Sequence, residues 1–74
     1  MKGEEVKRIR EKLEMNRDDL AELLCLAGYQ SMMNIETDFR RPAKLAVRLL
    51  RYLDSLPKSK AVVLIEELKR HDSR

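Results

Sequence analysis

The chain has one cysteine, one histidine, two glycines, two prolines, no tryptophan and only three other aromatic residues. Each scarcity excludes something. A single cysteine, Cys25, cannot close an internal disulfide, so nothing here argues for secretion. Its place in a mostly apolar stretch reads as a small buried residue rather than a nucleophile. The single histidine, His71, lies near the chain end, and there is no metal-ligand cluster, no glycine-rich phosphate loop and no triad candidate. The reading is therefore not an enzyme, with no metal and no cofactor. With so few aromatics the core must be aliphatic. There is no signal-peptide apolar region and no long apolar run, so the expectation is a cytoplasmic protein without a membrane segment. No repeat, linker or low-complexity tract interrupts the chain.

What is present is a 74-residue chain, 43% hydrophobic and 39% charged, with a formal charge of +3. That length predicts one domain, 1–74, near the lower limit for a self-sufficient core. Residues 4–14 place Val6, Ile9 and Leu13 on one helical stripe, with Glu4 and Glu5 in the first turn where the helix dipole favours them. Asn16 reads as the N-cap of a second helix, with Asp19 as a weak capping-box partner and Leu20, Leu23 and Leu24 facing inward. Gly28 marks a break, and residues 30–38 form a third helix. Pro42 opens a fourth at its first turn, and that helix runs to about Leu56. Its broad apolar arc holds Leu45, Ala46, Leu49, Leu50, Tyr52, Leu53 and Leu56. Pro57 ends it. A fifth helix, about 59–71, carries Ala61, Leu64, Ile65 and Leu68 on one stripe. No segment alternates as a strand does. The expected architecture is all-α, a compact bundle of five short helices.

Two charges fall inside apolar arcs. Arg10 lies between Val6 and Leu13, and Glu36 lies among Met32, Ile35 and Phe39. A buried unpaired charge is costly, so the expectation is that they pair with each other. The alternative is that each reaches the surface separately. The outward face of the third helix carries Gln30, Met33, Asn34 and Thr37, polar and without formal charge. Amides and hydroxyls of this kind suit base edges in a DNA major groove, though a protein-binding surface would look similar. The positive charge is concentrated just beyond it. Residues 40–60 hold Arg40, Arg41, Lys44, Arg48, Arg51, Lys58 and Lys60 against Asp54 alone, a local +6. Phosphate contacts need such a patch beside a base-reading surface.

The run MNRDDLAELLCLAGYQSMMNIETDFRRP resembles the helix-turn-helix of the Cro/lambda-repressor-like family, the XRE type. Asn16, Leu20-Ala21, Leu24, Met32, Ile35-Glu36 and Pro42 match that family's pattern in order, and the resemblance covers roughly residues 4–56. It implies a helix-turn-helix at about 16–38 in a lambda repressor-like domain. It also implies an arginine–glutamate pair of the Arg10–Glu36 kind. Asn16 and Arg17 would then lie near a phosphate. Gln30 and Ser31, with Met33, Asn34 and Thr37, would read bases, and Arg40, Arg41 and Lys44 would hold the backbone. Three positions depart from the family. Cys25 stands where glycine is usual, the turn CLAGY is one residue longer, and Asp38 replaces the glycine after the glutamate. The segment RRPAKLAVRLLRYLDSLP also resembles the end of short domains in antitoxins and phage-encoded autorepressors, including anti-CRISPR-associated regulators.

The resemblance implies a transcriptional repressor or autorepressor that binds an inverted-repeat operator in double-stranded DNA as a homodimer. The rival is a protein-interaction module, such as an antitoxin holding a partner protein. The stripe Ala61, Leu64, Ile65 and Leu68 is the expected dimer interface, because a bundle this small has little interior left for it. The alternative is that the stripe packs on the first and fourth helices and leaves Val63 as a lone exposed valine.

Overall fold

Three of the helices end where the chain turns into left-handed backbone, and none of those turns uses glycine. The computed structural model describes residues 1–71, so the last three residues of the expected domain lie outside it. Among the described residues there are five helices and no strand: α1 (Gly3–Lys12), α2 (Arg17–Leu23), α3 (Tyr29–Glu36), α4 (Lys44–Ser55) and α5 (Lys58–Arg70). After α1, Glu14 takes φ 56°, and the Met15 N–H donates to the Arg10 carbonyl at 3.1 Å. After α2, Cys25 takes φ 59°, and the Leu26 N–H donates to the Ala21 carbonyl at 2.8 Å. Both are six-to-one closures of the Schellman type, which satisfy carbonyls that the helix end would otherwise leave bare. After α3, Asp38 takes φ 64° and the Arg40 N–H reaches back to the Asn34 carbonyl at 3.0 Å. These closures stop α1 and α3 two residues earlier than their apolar periods predict.

Two helix starts also differ from expectation. α3 begins at Tyr29, because Gly28 at φ 152° serves as its N-cap in backbone that side-chain-bearing residues rarely adopt. Pro42 does not open α4. Ala43 is still extended, with ψ 154°, so the first helical residue is Lys44.

The core is aliphatic. Val6, Ile9, Leu13, Leu20, Ala21, Met32, Ile35, Leu50, Leu53, Ala61 and Ile65 form one buried cluster drawn from all five helices. The Cα radius of gyration is 11.5 Å, close to the roughly 11 Å expected of a compact chain this long. No helix among the described residues is long and apolar enough to cross a membrane.

Several residues placed on inward faces by periodicity lie outside instead. Phe39 is 83% exposed and Leu45 75%, and Tyr52 is exposed as well. The apolar arc of α4 is wider than the face its neighbours cover, so Leu50 and Leu53 fill the interior and the arc's flank stays in solvent. Cys25, expected to be a small buried residue, is exposed at the left-handed position that follows α2. The α5 stripe moves the other way. Ala61 and Ile65 are buried within the chain's own core, where α5 packs on α2, so they are not free to meet a partner copy. Of the four stripe residues only Leu68 is exposed, with Leu64 half-buried.

Candidate functional site

The third helix is short, and its C-terminal end is held from two sides. On one side α1 passes so close that a side chain at Gly3 would overlap the carbonyl oxygens of Glu36 and Ile35. Nothing on Lys2 caps α1. Instead the Gly3 N–H donates to the Asp38 carboxylate at 2.8 Å, so a residue beyond α3 caps the start of α1. The departure from glycine at Asp38 thus brings a hydrogen-bond acceptor that glycine lacks.

On the other side lies the Glu36 carboxylate, 3% exposed. Arg10 Nε donates to its Oε2 at 2.9 Å and Arg10 Nη2 to its Oε1 at 3.3 Å, a two-point fork. The remaining Arg10 nitrogen donates to the Met15 carbonyl at 3.0 Å, which ties the α1–α2 turn to the same group. Arg17, the first residue of α2, adds a third bond to Glu36 at 3.2 Å. Its Nη1 donates to the Tyr29 hydroxyl at 3.1 Å, and the guanidinium carbon stands 5.5 Å from that ring's centre. Burial works against the Arg17 charge, and Glu36 with Tyr29 together offset it, so the guanidinium titrates above its usual value. Two cations and one buried carboxylate therefore join α1, α2 and α3. Arg17 was expected near a phosphate; here it is turned inward to Glu36 and Tyr29. The spacing of residues 17 and 29 carries no sequence signal for that contact.

The face of α3 away from the core carries the expected polar set. Gln30 and Thr37 are exposed, while Ser31, Met33 and Asn34 are half-buried. Gln30 Nε2 donates to Asn34 Oδ1 at 3.0 Å, one turn along the helix. Each amide keeps its opposite end free, so the pair offers the Gln30 carbonyl oxygen as acceptor and the Asn34 NH2 as donor. The Thr37 hydroxyl donates to the Met33 carbonyl at 2.8 Å. Asn16 is committed to capping: its Oδ1 accepts the Asp19 N–H at 2.8 Å.

Beyond α3 the basic residues divide. Arg40 and Arg41 line a pocket of about 450 Å³ together with Met1, Lys2, Asp38, Pro42 and Val47, whereas Lys44 is exposed outside that lining. Sequence reasoning did not single out Lys2, because only the path of α1 against the end of α3 brings it to Arg40 and Arg41. Among the described residues no group of three histidine, cysteine or acidic side chains is placed to hold a metal. Comparison of the chain with protein-family models, with curated proteins and with solved structures returns no match.

Proposed function

We propose that the protein is a sequence-specific DNA-binding regulator, a repressor or autorepressor, in which α2 and α3 act as a helix-turn-helix and α3 enters the major groove. The observation that carries the reading is the uncharged, hydrogen-bonding face of α3, followed in the chain by Arg40, Arg41 and Lys44 with no ion-pair partner among the described residues. The Gln30–Asn34 pair suits base edges, because a linked donor and acceptor can address one base in two places. Its basic neighbours suit phosphates. Clamping of α3 through Glu36 and Asp38 supports the same reading, since base readout needs a rigid helix. A dimer belongs to the proposal, because one short helix reads few base pairs and a twofold pair would address an inverted repeat.

The test is binding to duplexes selected from a random pool. Asn34→Ala should cost roughly 1–3 kcal/mol on the selected site and change its base preference. Arg41→Ala should weaken every duplex and lower the salt slope by about one unit. Binding that ignores both sequence and salt would remove the reading. The rival is a protein-interaction module, and it is favoured by the exposure of Phe39, Leu45 and Tyr52, none of which the DNA reading uses.

A further inference from the structure

We propose that the pocket between residues 1–2, the exit of α3 and the start of α4 is a binding site for a phosphoryl group, with Lys2 as a ligand beside Arg40 and Arg41. The three cations come from two distant parts of the chain and line one cavity of about 450 Å³, within the range of small-ligand sites. All three are exposed, and none forms an ion pair with an acidic side chain among the described residues. Lys7, Lys44, Arg48, Arg51, Lys60 and Lys69 are unpaired among the described residues as well, so it is the convergence of Lys2, Arg40 and Arg41 on one cavity, not the lack of a partner, that sets them apart.

One carboxylate, Asp38, also lines the cavity, and its Oδ1 already accepts the Gly3 N–H. The lining side chains therefore carry three positive charges and one negative, an excess that suits a phosphate group, whether a monoester with up to two negative charges or a backbone diester with one. Guanidinium groups supply the planar fork that binds phosphate oxygens in pairs, and the lysine adds a compact charge. The same chemistry is offered by a DNA backbone phosphate, the source that the proposed function supplies, and by a small phosphorylated molecule. In the DNA case Lys2 widens the backbone contact from the α3–α4 connection to the start of α1.

The full chain, labelled with 15N, is titrated with inorganic phosphate at constant ionic strength, and separately with a selected duplex over a range of salt. Phosphate should shift the amide resonances of Lys2, Arg40 and Arg41 saturably. The Lys2→Gln, Arg41→Gln double variant should lose at least tenfold in phosphate affinity, with an unchanged circular dichroism spectrum showing that it folds. On the duplex, Lys2→Gln should lower the salt slope by about one unit and leave base preference as it was. If phosphate saturates this pocket while no duplex binds, the site stands with a small phosphorylated ligand and the DNA reading falls. If duplex binding is sequence-specific but Lys2→Gln changes neither the phosphate titration nor the salt slope, the pocket proposal is overturned and the DNA reading stands.

Discussion

Glu36 is the enclosed carboxylate that ties α1, α2 and α3 together, accepting three hydrogen bonds from two arginines. It is almost fully enclosed and satisfied by two arginines, so its loss would leave Arg10, 11% exposed, facing an empty place. Glu36→Ala should destabilise the fold by about 3–5 kcal/mol in denaturant unfolding, because removing one partner strands a charge. Arg17 is 26% exposed and can recover water, so Arg17→Ala should cost only about 1–2 kcal/mol. Double-mutant cycles should accordingly find stronger coupling for Arg10–Glu36 than for Arg17–Glu36, and equal couplings would contradict this hierarchy. Cys25 presents the opposite case. Its side chain is exposed and its φ of 59° is one that glycine adopts without penalty. Cys25→Gly should therefore raise stability by about 0.5–1 kcal/mol, the backbone strain relieved outweighing the entropy that glycine adds. A lower unfolding midpoint for this variant would mean that the cysteine side chain has a packing role.

Each helix is held less by its own caps than by its neighbours. Among the described residues only α2 has a side-chain cap of its own, Asn16, while α1 borrows Asp38 and α3 is anchored through Glu36. α1 and α4 are joined by a further cluster. Arg8 donates to both oxygens of Asp54, at 2.9 and 3.3 Å, and Lys12 donates to Oδ1 at 3.1 Å and to the Asp54 carbonyl at 2.8 Å. Hydrogen bonds from Arg8 and Lys12 hold the Asp54 carboxyl at about 2, below its usual value of 3.8. The folded state thus binds the proton less readily than the unfolded chain. The stabilisation is fully present above about pH 4 and is lost as pH falls toward 2. The cluster is partly in solvent, so its worth is below about 1 kcal/mol. Between pH 4 and 2 the unfolding free energy of the wild type should fall more steeply than that of Asp54→Asn. Parallel slopes would show that the cluster adds nothing.

At the level of the assembled protein, the apolar surface left for a partner is not the one that the α5 stripe suggests. Ile65 is part of the core, so a charge there would unfold the chain and report nothing about association. α5 leaves Val62, Val63 and Leu68 exposed, and Leu68 borders a groove of about 330 Å³ also lined in part by Leu23 and Leu49. If the proposed dimer forms there, Leu68→Glu should abolish association in sedimentation at micromolar concentration and leave the unfolding midpoint nearly unchanged. A monomeric wild type, or an undiminished dimer in the variant, would rule out that face.

The helical class, the five-element order and most of the core were legible in the sequence, because apolar residues at helical spacing must share a face wherever the chain folds. The inward charges of Arg10 and Glu36 were legible for the same reason: a charge within an apolar arc demands a partner. The helix ends were less legible, since Glu14, Cys25 and Asp38 adopt left-handed backbone that glycine usually signals. Periodicity also assigned more apolar residues to α4 and α5 than could be sorted into inside and outside. Only the packing of five helices around a finite interior decided that Ala61 and Ile65 are enclosed while Leu45, Tyr52 and Phe39 are not. The inward turn of Arg17 to Tyr29, the capping of α1 by Asp38, and the meeting of Lys2 with Arg40 and Arg41 join residues remote in the chain. Local pattern carries no record of such contacts: the first exists only once α2 packs on α3, and the other two only once α1 crosses the end of α3 at the distance that Gly3 permits.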